Sequence, residues 1–249
     1  MEPWQGIILF AIGCIAGFIN VVAGGGSLIT VPVMVFLGMP GPVANGTNRI
    51  AILAQNITAI TTFFNKGFSD FRLSLSLSAM AIPGAVAGAF IGTRLEGVWF
   101  NRTIAIIMIF AMLMMIFDKK LKTQKSNGVI SRKRMIIGHL SMVVIGFYGG
   151  FIQIGVGFII MPVLVRVMGI DLVRVNMHKV FIIGSYTVVS LIVFASRVEI
   201  AWLLGLCLAA GNSLGGWFGA HFSVTRGDRI IKIVLNTLFF IFIIKLLFF

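Results

Sequence analysis

Charge is scarce in this sequence, and acid is scarcer still. Only 11% of the 249 residues are charged, with seven Asp and Glu against 20 Lys and Arg. A soluble domain is about a quarter charged. With a mean hydropathy of +1.07, the chain reads as a polytopic membrane protein whose solvent is lipid. The acids, Glu2, Asp70, Glu96, Asp118, Asp171, Glu199 and Asp228, all fall at the ends of apolar runs or in loops. An intramembrane carboxylate relay or sodium cage therefore has no candidate. Paired-acid hydrolysis and Ser-His-Asp chemistry lack their residues too, so an enzyme is not expected.

Other absences narrow the reading. Cys14 and Cys207 are the only cysteines; both lie in apolar runs and read as packing residues, not as a disulfide or metal framework. His139, His178 and His221 are scattered without ligand spacing. No metal or other cofactor is expected. No G-x-x-x-x-G-K-[ST] motif occurs, so nucleotide hydrolysis is not the energy source. The N-terminal MEPWQGIILF lacks the basic region of a cleaved signal, so the first apolar run is expected to stay as a membrane helix. The net charge of +13 gathers in short loops, as the positive-inside rule expects, and no nucleic-acid signature interleaves it.

Apolar sequence is abundant, in runs at 5–22, 27–38, 47–65, 73–93, 101–117, 135–149, 155–168, 178–196, 199–219 and 229–248. A span needs about 20 residues, so the second and seventh are short. Each comes after its predecessor across glycines: Gly24, Gly25, Gly26 and then Ser27 in the first case, GFIQIGVG in the second. A glycine costs about 1 kcal/mol in a helix relative to alanine, so each pair is either one kinked span or a hairpin reversing at its glycines. The basic residues favour hairpins. With the N-terminus outside, they leave only Arg94, Arg102, Arg197 and Lys245 on the outer face, once Arg49 and Lys179 at span starts are set aside.

A hairpin plus three spans reverses the orientation of the second half relative to the first. The predicted fold is therefore all-α, with two inverted repeats, each a glycine-broken hairpin plus three transmembrane helices. The repeats are 1–118 and 135–249, joined by a basic cytoplasmic linker at 119–134 for which anionic-lipid attraction is a secondary reading. Both termini are then expected to be periplasmic. An internal alignment supports the duplication. Phe18-Ile19-Asn20 matches Phe151-Ile152-Gln153, Pro32-Val33 matches Pro162-Val163, and Thr47-Asn48-Arg49-Ile50 falls on Met177-His178-Lys179-Val180.

A broken apolar segment present twice points to a transport site between the halves. Arg49 and Lys179 enter spans at matching places, and intramembrane cations usually face an interior or a cavity. Snorkelling to a headgroup is the plain alternative for Arg49. Two matched cations facing one cavity would bind an anion. The short helices after the glycines would add N-terminal N–H groups, with Ser27 at an N-cap. Asn45 and Thr47 precede the next run in the same manner. One candidate half-site is Asn20, Gly24, Gly25, Gly26, Ser27, Thr47, Asn48 and Arg49. The other is Gln153, Gly155, Gly157, His178 and Lys179. The side chains of Asn20, Gln55, Asn56, Gln153, Ser185 and Tyr186 are read one by one as interhelical hydrogen bonders. Gly84, Gly88 and Gly92, like Gly211, Gly215 and Gly219, form ridges for close helix packing.

The opening GxIAGFxNxxAGGGSLxTVPxxxxLGxPxxxANGTN and the later GFYGGFxQxGVGF resemble the sulfite exporter TauE/SafE family of bacterial membrane permeases. The resemblance covers essentially the whole chain. It implies export or uptake of a small sulfur- or carbon-containing anion such as sulfite or a sulfonate. The second half carries GVGF where the first has GGGS, so symmetry of the site is imperfect. The expectation is a secondary transporter, an exporter, in the bacterial inner membrane, with the small anion and the lipid bilayer as partners. His178, with an ordinary pKa near 6.5, is the candidate for proton coupling. An anion channel and a non-transporting scaffold subunit are the rival readings. Oligomeric state is not legible.

Overall fold

The computed structural model describes residues 3–117 and 130–223, and among these no strand occurs. The run expected at 229–248 and most of the linker lie outside the described residues. The described helices are, in chain order, α1 Pro3–Val22, α2 Ser27–Phe36, α3 Gly41–Asn65, α4 Phe71–Gly92, α5 Gly97–Phe117, α6 Arg132–Phe151, α7 Val156–Pro162, α8 Leu172–Ala195 and α9 Trp202–Ser223. Five of them, α1, α4, α6, α8 and α9, are long and apolar enough to cross a bilayer. Large apolar side chains point outward along them, Ile7 being 71% exposed and Leu203 68%. That is the surface expected where lipid is the solvent.

Two helices start six residues earlier than the sequence reading. α3 begins at Gly41, with Pro40 at its N-cap position and Pro42 in its first turn. Asn45 and Thr47 therefore lie inside the helix and do not precede it. Proline is preorganised for a first turn and lacks only an N–H that would be unpaired there. α8 begins at Leu172, where the side chain of Asp171 accepts from Arg174 N at 3.1 Å. Asp70 does the same for α4, accepting from Leu73 N at 3.2 Å. The loop acids thus serve as helix caps. A third correction concerns Ser27, which is the first residue of α2; Gly26 holds the N-cap position without a side-chain bond. The segment read as one helix at 155–168 passes at Pro162 into a π-helical turn, Val163–Val167. Proline has no N–H for the regular ladder, which gives the irregularity a cause.

The chain reverses at both breaks. A Cβ on Gly26 would run into the carbonyl of Ala16 and would lie 2.7 Å from Asn20 Cβ, so the chain has doubled back beside α1. A Cβ on Gly138, early in α6, would lie 2.6 Å from Sδ of Met168, just past the π turn. The second hairpin therefore returns to the end from which α6 started. The turns α2–α3, α4–α5 and α8–α9 share one face of the bundle, where Met39, Pro40, Thr93, Glu96, Arg197 and Glu199 line a cavity of about 590 Å³.

Glycine ridges set the closest approaches. A Cβ on Gly84, Gly88 or Gly92 of α4 would clash with the carbonyl of Val143, Phe147 or Phe151 on α6 in turn. On α9, Gly211, Gly215 and Gly219 meet the carbonyls of Phe10, Cys14 and Phe18 on α1. Both pairs run parallel, since residue numbers rise together along each seam. Small residues let backbones approach and gain dispersion contact, which replaces the hydrophobic drive that lipid removes. α3 packs on α9 and α8 on α4, while α3 and α8 pack on each other. α3 and α8 are antiparallel: Gly46 meets Phe194, and Gly184 meets Asn56.

Candidate functional site

The two glycine breaks touch. A Cβ on Gly24 would lie 2.5 Å from Cα of Gly157, so only backbone fits at that crossing. Gly24 has φ +86° and Gly155 φ +68°, values that L side chains rarely adopt. Gln153 also has a positive φ, 58°, the only described non-glycine residue to do so. Every residue of the two predicted half-sites is buried.

Arg49 reaches from α3 across the molecule to the end of α6. Its Nη1 donates to Gly149 O at 3.2 Å and to Gln153 Oε1 at 2.9 Å; its Nη2 donates to Gly150 O at 2.5 Å and to Asn45 Oδ1 at 3.5 Å. The guanidinium lies 4.3 Å over the Phe194 ring. The last carbonyls of a helix lack intrahelical donors and carry the negative end of its dipole. Arg49 supplies both donors and charge to that end.

Lys179 does the corresponding work in the other direction. From α8 its Nζ donates to Val21 O, near the end of α1, at 2.7 Å, and to Asn176 Oδ1 at 2.8 Å. Each cation thus clamps the carbonyl end of the broken helix in the opposite half. The expectation that both face one cavity is corrected here. The α3–α8 register displaces their backbones along the pair by about 18 Å, at about 1.5 Å rise per residue. They form two clamps, because each is drawn to a different helix end.

The remaining predicted residues divide among several neighbourhoods. Asn20 Nδ2 donates to Gln55 Oε1 at 3.1 Å, and Asn212 Nδ2 reaches the same oxygen at 3.5 Å. Gln153 Nε2 donates to Thr187 Oγ1 at 2.7 Å, which links the Arg49 clamp to α8. Asn48 Oδ1 accepts from Thr30 Oγ1 at 2.7 Å, while Thr47 Oγ1 accepts from Ala201 N at 3.1 Å at the start of α9. His178 is held apart, its Nδ1 2.8 Å from Ser74 Oγ on α4. Gly25 lies against the ring of Phe158, and Gly157 against Gly24.

Several partners have no signature in the sequence. The carbonyls of Val21, Gly149 and Gly150 carry no side-chain signal. Asn176 has one, since it stands three residues before Lys179 on the same helix face. Asn212 lies within a ridge that reads as packing alone.

A family model described as "Sulfite exporter TauE/SafE" matches residues 9–246. Among curated proteins, the chain is 28% identical over 225 residues to a "Probable membrane transporter protein" of Haemophilus influenzae, covering 90% of this chain and 88% of the relative. It is likewise 28% identical to "Probable membrane transporter protein ORF9" of Sinorhizobium sp, covering 90% and 85%. It is 25% identical to "Probable membrane transporter protein YfcA" of Escherichia coli K12, covering 90% and 83%. No solved structure matches it significantly. The multi-pass helical bundle, its doubled glycine breaks and the match over nearly its full length lead to one conclusion: the chain belongs to the sulfite exporter TauE/SafE family.

Proposed function

We propose that the protein is a secondary transporter, working as an exporter, of a small oxygen-bearing anion such as sulfite or a sulfonate. One observation carries this reading. Arg49 is fully buried, and its hydrogen-bond partners are carbonyl and amide oxygens, with no carboxylate among them. Charge in a low-dielectric interior must be compensated. Helix-end carbonyls compensate part of it, and Arg49 Nε is left without any partner. An interior of that sign favours an anion over a cation. The family description and the relatives' names support transport and do not choose the substrate.

The halves 1–118 and 135–249 are inverted repeats in this reading. The antiparallel α3–α8 pair supports it. So does the exchange of partners, in which α1 takes α9, α6 takes α4, α3 takes α9 and α8 takes α4. Alternating access then consists of the halves rocking about the Gly24–Gly157 crossing. Both termini and the cavity face holding Glu96 and Glu199 are periplasmic, and the membrane is the bacterial inner membrane. His178, hydrogen-bonded to Ser74, is the candidate proton carrier.

Reconstituted vesicles decide among the readings. A carrier gives saturable efflux of radiolabelled sulfite or methanesulfonate, with counterflow. Ohmic single-channel current identifies a channel instead, and correctly inserted protein without flux identifies a scaffold. A pH gradient should accelerate wild-type flux and leave His178→Gln unaffected if the proton reading holds.

A further inference from the structure

We infer that the ligand seat of this transporter is the crossing of α3 and α8, where Gln55, Asn56 and Tyr186 supply neutral hydrogen-bond donors to a monoanionic oxyanion while Arg49 and Lys179 act mainly as helix clamps. The inference rests on the transporter reading above and locates its site.

The register identifies the place. Gly46 opposite Phe194 and Asn56 opposite Gly184 set the α3–α8 pairing. The internal alignment places Arg49 on Lys179, and the same offset carries Gln55 onto Ser185 and Asn56 onto Tyr186. In the observed register those two pairs lie level with each other, at the midpoint of the crossing. This is the one layer where both halves contribute equivalent positions at the same height of the pair. Sites between transporter repeats lie at such midplane layers.

The chemistry at this layer is unfinished. Gln55 Nε2, Asn56 Nδ2 and the Tyr186 hydroxyl are buried without a hydrogen-bond partner. All three residues are at most 1% exposed. Orphan donors in a protein interior cost about 1–3 kcal/mol each, and a bilayer core gives them no water to turn to. Three in one layer is a pattern that a bound acceptor explains. The Tyr186 hydroxyl also lies against Gly149, 2.5 Å from where a Cβ would stand. Gly149 is the residue whose carbonyl Arg49 holds. Tyr186 thus stands beside the residue whose carbonyl Arg49 Nη1 holds, and Arg49 Nε has no partner of its own.

The donor set specifies the ligand class. All but one of these donors are neutral, and the one cationic edge is already shared with two carbonyls and two side-chain oxygens. The cost of desolvating an ion rises with the square of its charge, so a dianion needs far more compensation than this layer offers. A monoanion with two or three acceptor oxygens and no donors of its own fits it. A sulfonate has that form and sulfate does not.

Binding of methanesulfonate and of sulfate to purified wild type, Tyr186→Phe and Asn56→Leu, measured by calorimetry and by thermal unfolding in detergent, tests the inference. Wild type should bind methanesulfonate at least tenfold tighter than sulfate. Tyr186→Phe should weaken methanesulfonate binding roughly tenfold, the loss of one hydrogen bond to a charged group. Because it removes an orphan hydroxyl, it should unfold at the same or a higher temperature without ligand. Asn56→Leu should weaken binding as well and keeps the test valid if one variant fails to fold. Unchanged methanesulfonate affinity in either folded variant, or tighter binding of sulfate in wild type, overturns the inference. If wild type binds neither anion and carries no flux, the transporter reading itself falls, a result separable from the first.

Discussion

Lys179 on α8 donates to the carbonyl of Val21 at 2.7 Å, tying the middle of one half to the last turn of α1 in the other. Arg49 and Gly150 form the matching contact in the opposite direction at 2.5 Å. Helix ends inside a bilayer must have their carbonyls satisfied, and here a cation from the other half satisfies each. The clamps join the halves at two helix ends, one on each hairpin.

Removing a clamp should therefore cost stability. Arg49→Met leaves the Gly149 and Gly150 carbonyls and Gln153 Oε1 without their donor. A loss of about 3 kcal/mol is expected, because each buried acceptor left without a donor costs about 1–3 kcal/mol. Thermal unfolding in detergent measures it, and an unchanged midpoint would remove Arg49 from any structural role.

The glycine seams make a comparative prediction. Gly215→Ala would drive a Cβ into the carbonyl of Cys14, forcing α1 and α9 apart. A loss of about 2 kcal/mol is expected. Gly38→Ala meets nothing within 4 Å, yet its φ of +91° penalises any Cβ. It should cost about 1 kcal/mol from backbone strain alone. Equal effects at the two sites, measured by thermal unfolding, would contradict the packing account.

Gln153 gives a test in which glycine outperforms alanine. Both substitutions lose the bonds to Arg49 and Thr187, but only glycine accepts a φ of 58° without strain. Gln153→Gly should be the more stable of the two by about 1 kcal/mol, the reverse of the order expected in an ordinary helix.

Cross-linking checks the hairpins. Cysteines at Gly138 and Met168 should form a disulfide under mild oxidation in a background lacking Cys14 and Cys207. Single cysteines at Glu96 and Glu199 should react with a membrane-impermeant thiol reagent from the same side. Labelling of those two positions from opposite faces would mean that one glycine-broken segment crosses the membrane.

Much of the architecture comes from composition and spacing. A chain this apolar must bury its backbone in helices, and glycines within short apolar runs must interrupt them, so the breaks at Gly24–Gly26 and Gly155–Gly157 are expected where they occur. The ridges at Gly84, Gly88 and Gly92 can be assigned to packing because a spacing of four marks one helix face. Helix starts are less legible. Asn45 and Thr47 are weak helix formers, but tertiary partners for both side chains hold them inside α3.

The sequence by itself determined that this is a membrane bundle, that it breaks twice at glycine, and that one cation enters each half at a matching place, because bilayer solvation acts on local runs of residues. Only the tertiary structure decided what those cations hold. Arg49 finds three of its four acceptors 100 to 104 residues away, and Lys179 finds Val21 at a separation of 158. Partners that distant are chosen by how the helices cross, which no local pattern encodes.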